Sequence, residues 1–174
     1  MDFRYHPYYC EENIYLLCAD FFREKDDTGA HVLLITNSFG GCSFACQKIA
    51  HEGRIVLWDY HVVLHTDSLI YDFDSTLPFP CPADQYLCNT FLPETSFIYQ
   101  PLFNAVPART YLDKFSSDRR HMKNPDGNWK KPPPPWPLIS GWSAESTHEL
   151  PRFLDCKAES FGCIISLKDL KHCQ

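Results

Sequence analysis

Two runs rich in β-branched and aromatic residues, Ile55 to His65 and Leu69 to Phe73, stand only a few residues apart and constrain the fold more than any other part of the chain. Their composition is that of strands, and the short connection makes them an antiparallel hairpin. Closure on Thr66-Asp67, or on a four-residue loop about the same centre, sets His61 opposite Asp72; a three-residue loop would displace that pairing by one position. Opposed side chains share a face with Cβ atoms about 4.5–5.5 Å apart, within reach of an imidazole–carboxylate hydrogen bond. Period two puts Asp59, His61 and His65 on one face with Asp72 and Asp74. Trp58, Tyr60, Val62 and Leu64 then face the other way with Tyr71 and Phe73, the side that reads as core. The polar row is either a solvated face or the floor of a cleft, and pattern alone favours the solvated face.

Upstream, Cys10 to Arg23 carries Ile14, Leu17, Cys18, Phe21 and Phe22 at offsets of three and four, the pattern of an amphipathic helix. Glu11 and Glu12 occupy its first turn, where carboxylates suit the helix dipole. Cys10 falls at or just before the helix start, where backbone N–H groups favour thiolate over thiol, an effect the two carboxylates oppose. A thiol at Cys10, an imidazole at His61 and a carboxylate at Asp72 are the three parts of nucleophilic catalysis on a carbonyl. Spacing alone does not bring Cys10 to His61, and the chain order Cys, His, Asp occurs in many unrelated thiol enzymes.

His31 to Ile35 reads as a short buried strand, and further strands are expected around Phe97 to Tyr99 and Arg109 to Leu112. His148 to Leu154 reads as a short helix and Cys163 to Leu167 as a last strand. Leu77 to Pro82 must leave the sheet, because its three prolines cannot donate to a ladder. Residues 116–137 form a long loop, a length that implies function or disorder. Within it Lys130-Lys131 and the prolines from Pro132 to Pro137 allow a polyproline II ligand for an SH3 or WW domain. A rigid loop strapped across the domain, with Trp129 and Trp136 packed beneath it, is the favoured alternative. With 174 residues, 44% of them hydrophobic and 15% aromatic, the chain fits a single α+β domain spanning 1–174.

A net charge of −6 argues against binding a nucleic-acid backbone. The basic cluster of Arg119, Arg120, Lys123, Lys130 and Lys131 is interleaved with Asp113, Asp118 and Asp126 and reads as a solvated loop. Nine cysteines, an odd number at irregular spacings, exclude a complete disulfide framework. No C-x-x-C occurs, so structural-zinc spacing is absent and no metal is expected. The chain shows no secretory leader and no apolar run long enough to span a membrane, which points to a reducing cytoplasmic or nuclear setting. Nothing in it asks for an oligomer, and a monomer is the expectation.

Several longer stretches identify a family. Tyr9-Cys10-Glu11-Glu12-Asn13-Ile14, Trp58-Asp59-Tyr60-His61-Val62-Val63-Leu64, Ile70-Tyr71-Asp72-Phe73-Asp74 and Leu77-Pro78-Phe79-Pro80-Cys81 carry the resemblance, and Tyr111 to Phe115, Ser117 to Lys123, Gly127-Asn128-Trp129 and Pro132 to Pro137 continue it. Together they resemble the protein N-terminal glutamine amidohydrolases, known for their Trp-Asp-Tyr-His-Val motif; the pattern departs over residues 36–54 and in a short segment before the cysteine. The resemblance implies a papain-like or transglutaminase-like thiol-enzyme fold with an antiparallel sheet packed against helices. It implies Cys10, His61 and Asp72 as the catalytic residues. It implies deamidation of an N-terminal glutamine to glutamate with release of ammonia, feeding an N-degron pathway. Proteins and peptides with a free N-terminal Gln would be the substrates, and no cofactor is required. Recognition of such a substrate needs a partner for its ammonium group, for which Asp59 and Asp74 on the polar face are candidates. A thiol protease or a transglutaminase-like acyl transferase is the alternative within the same fold.

Overall fold

The protein is described by a computed structural model covering residues 3–22, 29–51, 53–156 and 161–172. In chain order its elements are α1 (Cys10–Phe21), β1 (His31–Thr36), β2 (Cys42–Phe44), β3 (Val56–Trp58), β4 (His61–Thr66), β5 (Leu69–Tyr71), β6 (Cys81–Pro82) and α2 (Ala83–Thr90). There follow β7 (Leu102–Pro107), α3 (Ala108–Lys114), β8 (Ser116–Ser117), β9 (Ile139–Ser140), α4 (Leu150–Phe153), β10 (Cys163–Ser166) and α5 (Leu167–His172). Six strands form one sheet in the order β10-β7-β1-β4-β5-β6, every neighbouring pair antiparallel.

The central strands are apolar on both faces and are therefore covered on both. Val32 and Leu34 of β1, Val62 and Leu64 of β4 and Val106 of β7 pack with Ile14 and Leu17 of α1, Tyr111 of α3 and Phe153 of α4. Alternate residues Leu33, Ile35, Val63, Phe103 and Ala105 meet Tyr86 and Leu87 of α2 and Leu170 of α5. The result is an α+β arrangement in which helices flank an antiparallel sheet.

The hairpin exists, with its register moved by two residues. Leu64 pairs with Tyr71 and Thr66 with Leu69, so the turn is Asp67-Ser68, with Asp67 in the left-handed region at φ 48°. A shift of two keeps every side chain on its face, so the pairing of faces survives. Asp72 and Phe73 lie beyond the paired strand. The long strand expected over Ile55 to His65 is two: β3 pairs with β2 in a separate ribbon, and the chain breaks at Asp59-Tyr60 before β4. Tyr60 stays on the α1 side, whereas Trp58 joins the opposite cluster. The polar face is not solvated: His61 is 2% exposed and Asp72 4% exposed.

Other expectations also change. Phe97–Tyr99 is a 3-10 turn and Arg109 to Leu112 belongs to α3, because Pro107 ends β7 and Ala108, Tyr111 and Leu112 present one buried helical face. Cys81–Pro82 stays in the sheet as its edge strand, the one place that tolerates proline. The helix that follows, α2, and the last helix, α5, were not anticipated. The final strand ends at Ser166, the short helix begins at Leu150, and the first helix ends at Phe21, two residues before Arg23, which lies outside the described residues. All eight cysteines among the described residues are free.

Arg119 is not part of a solvated loop. It is 5% exposed, at φ 62°, and clasps the fully buried Glu12 through two hydrogen bonds of 2.8 Å. Its remaining N–H groups reach the carbonyls of Pro134, Trp136 and Pro137, while Trp136 Nε1 donates to Glu12 at 2.6 Å. His6 Nε2 meets Pro132 O at 2.9 Å and Tyr9 Oη donates to Lys131 O, so the proline run is strapped over the start of α1. Trp136 packs beneath that strap, and Trp129 stays partly exposed under Lys123. Replacing Glu12 by Gln leaves the guanidinium buried without its counter-charge and should lower unfolding free energy by about 3–5 kcal/mol, read from urea denaturation. An unchanged midpoint would show that the strap is held by something else.

Candidate active site

The first turn of α1 buries three consecutive polar residues, each with a partner in place of water. Glu12 takes Arg119, and Glu11 accepts the Tyr60 hydroxyl at 3.1 Å. Asn13 holds the backbone of His6 from both sides, accepting from its N–H and donating to its carbonyl at 2.9 Å each. Tyr9 O accepts from the amides of Glu12 and Asn13, which starts the helix and fixes Cys10 at its first position. Cys10 is partly exposed and faces a cavity of about 940 Å³ that His61, Trp58, Asp59, Asp74 and His121 also line.

His61, at the start of β4, is held between aromatic rings. Trp58 stacks on it at a centroid distance of 6.2 Å and Phe44 meets it edge-on at 5.5 Å. Its Nε2 lies 2.8 Å from Asp72 Oδ1, leaving Nδ1 as the nitrogen free to exchange a proton. Asp72 is saturated: Oδ1 also accepts from the Asp74 amide, and Oδ2 accepts from Tyr86 Oη at 2.8 Å and Gln47 Nε2 at 3.5 Å. Gln47 in turn accepts from Trp58 Nε1, closing a ring of contacts behind the imidazole. His61, Asp72 and Asp74 place donor atoms within 4.8 Å of one another, but those of the first two are engaged with each other and Asp74 Oδ1 accepts from Tyr5 Oη. The cluster reads as a hydrogen-bonded histidine–carboxylate pair.

Burial alone would lower the pKa of His61, but the charge and hydrogen bond of Asp72, with Asp74 and Glu11 behind it, raise it above the usual value. Burial would likewise raise Asp72, and the imidazole, the Asp74 amide and Tyr86 hold it below the usual range. The Cys10 thiol goes the opposite way to the helix-dipole expectation. Burial, then the charges of Glu11 and Asp74, push it well above its ordinary value, against one backbone N–H from Val62. The thiol donates to Glu11 Oε2 at 3.7 Å, and His61 lines the same cavity.

A family model described as N-terminal glutamine amidase matches residues 5–174. The chain belongs to that family. A Drosophila willistoni relative named protein N-terminal glutamine amidohydrolase is 36% identical over 182 residues, covering 98% of this chain and 88% of the relative. Relatives of the same name from Arabidopsis thaliana and Bos taurus are 39% and 35% identical, over 79% and 97% of this chain and 69% and 85% of their own lengths.

Within this amidase, then, the three residues singled out from sequence converge: Cys10 and His61 on one cavity, Asp72 behind the histidine. Asp59 and Asp74 both line that cavity. Asp59 is exposed and its carboxylate caps the Tyr60 amide at 3.0 Å, the role of a turn residue. Asp74 is partly buried, and burial raises its pKa. Gln47, Tyr86 and Phe44, which shape the histidine pair, carried no signal of their own in the sequence. Replacing Asp72 by Asn removes the charge that raises His61, so the imidazole should titrate at lower pH by NMR of its Cε1 proton; an unmoved midpoint would contradict this account of the pair.

Proposed function

We propose that this protein hydrolyses the side-chain amide of an N-terminal glutamine in proteins and peptides, giving glutamate and ammonia. Family membership supports the reaction, and the observation that carries the chemistry is that Cys10 and His61 share a cavity with His61 bonded to Asp72. The Cys10 proton passes to His61 Nδ1 as sulfur attacks the amide carbon. The imidazolium then gives that proton to the nitrogen, which would otherwise leave poorly, and ammonia departs from a thioester. Neutral His61 next takes a proton from water, hydroxide attacks the thioester, and the proton returns to sulfur as glutamate is freed. Asp72 fixes the ring's tautomer and supports its charged form. Backbone N–H groups beside Cys10 serve as oxyanion donors, in the place where the Val62 amide faces the sulfur.

Asp74 is the proposed partner of the substrate ammonium, because a cation offsets the cost of its burial. Asp59 is a second carboxylate at the rim. The arrangement of a helix-start thiol facing a sheet that bears His and Asp is that of papain-like and transglutaminase-like enzymes. The proposed setting is the cytoplasm or nucleus, where the product terminus marks a protein for arginylation and degradation. No helix among the described residues is long and apolar enough to cross a membrane.

The test is incubation with a Gln-initiated peptide, its N-acetylated twin and a peptide with Gln only inside. Ammonia release and a mass gain of about one dalton should be confined to the free Gln terminus, and Cys10→Ala should lose at least about a thousandfold in kcat/KM. Backbone cleavage or amine incorporation would instead identify a protease or an acyl transferase.

A further inference from the structure

Glu11 has no part in the steps above, yet it touches the reacting sulfur. It is fully buried, and Cys10 Sγ donates to its Oε2 at 3.7 Å. Tyr60 Oη donates to the same oxygen at 3.1 Å, and Tyr60 Oη is itself 3.3 Å from His121 Nε2. The other oxygen, Oε1, has no hydrogen-bond donor and lies 3.3 Å from His121 Nε2. A fully buried carboxylate is costly even with partners, so its place beside the thiol calls for a reason.

The charges around Cys10 supply it. Glu11 stands on its own helix, Asp72 and Asp74 follow β5, His61 and Tyr60 come from the start of β4, and His121 and His148 stack at 5.3 Å across the cavity. The cavity's lysines are tethered elsewhere: Lys48 Nζ to Phe73 O at 2.6 Å, Lys130 Nζ to His121 O at 2.9 Å, and Lys131 over the Tyr8 ring at 4.3 Å. The charges that act on the sulfur are those of Glu11, Asp74 and Asp72, and a carboxylate oxygen accepts its proton.

We propose that Glu11, with Asp74, holds Cys10 as a protonated thiol in the empty cavity, and that the α-ammonium of an incoming chain releases it. The cation offsets the field, and the proton moves to His61 Nδ1; one S–H bond breaks as one N–H bond forms. The inference rests on the proposed substrate for its second half. It makes the free amino terminus a condition of nucleophile activation, so a blocked terminus fails in kcat and not in KM alone.

Alkylation of Cys10 by iodoacetamide, followed against pH and assigned by peptide mapping because Cys88 and Cys163 are also exposed, reads the thiol without any substrate. Glu11→Gln should speed that alkylation about tenfold at neutral pH and lower its midpoint by about one unit. It should also raise deamidation of the N-acetylated Gln peptide above the wild-type background. Tyr60→Phe, which leaves Glu11 Oε2 to the sulfur alone, should move the midpoint upward. A folded Glu11→Gln protein with unchanged or slower alkylation overturns the proposal. If that variant does not fold, Tyr60→Phe decides, and a fixed or lowered midpoint overturns it. Shifted midpoints without deamidation of any peptide would sink the proposed activity and leave the thiol lock standing; deamidation with unmoved midpoints does the reverse.

Discussion

The ion pair between Glu12 and Arg119 joins parts of the chain more than a hundred residues apart, and the cavity depends on it. A buried pair of this kind gains little over an apolar contact, because desolvation offsets most of the attraction. What it supplies is placement. The guanidinium has its remaining donors on three carbonyls of the proline run, so the strap has one position relative to the first turn of α1. That turn bears Cys10. The helix bearing the thiol is thereby fixed against the run that follows Lys130 and Lys131, two residues that line the cavity, and Trp136 and the aromatic segment before the helix reinforce the contact.

The two short motifs divide the same labour. In Cys10-Glu11-Glu12-Asn13 the four side chains serve as the thiol facing the cavity, a buried carboxylate bonded to that thiol, the anchor for the strap and the clamp on the preceding segment. In Trp58-Asp59-Tyr60-His61-Val62 the outer residues hold the ring of His61 and pack the core, Asp59 makes the turn, and Tyr60 reaches back to Glu11. The histidine faces away from the α1 side of β4, which leaves room for Asp72, Tyr86 and Gln47 to saturate one another behind it.

The strands and the histidine–aspartate pairing were legible because period two survives a register error of two residues. Closure on Asp67-Ser68 in place of Thr66-Asp67 moved Asp72 off the ladder without moving it off its face. The break at Asp59 was not legible, since Trp58 and Tyr60 suit a continuous strand as well as an interrupted one. Ala83, Tyr86, Leu87 and Thr90 do recur at helical spacing, but eight residues after a proline cluster are too few for periodicity to stand out. Arg119 reads as one cation among several because its partner is a glutamate at the other end of the chain. The direction of the Cys10 thiol was missed for the same reason: the local helix start favours thiolate, and the burial that chiefly opposes it, joined by Glu11 and then Asp74, arrives through the fold.

The strap has a consequence for how the protein comes into being. Cys10 precedes His121, Lys130, Lys131 and His148, on the far side of its cavity, by more than a hundred residues of the chain. A nascent chain therefore carries this thiol through more than a hundred residues of synthesis before its cavity can close. Until the proline run has cleared the ribosome and Arg119 has found Glu12, the thiol is an ordinary cysteine in an unfinished domain. Closing the cavity thus waits on a contact between segments that leave the ribosome far apart in time.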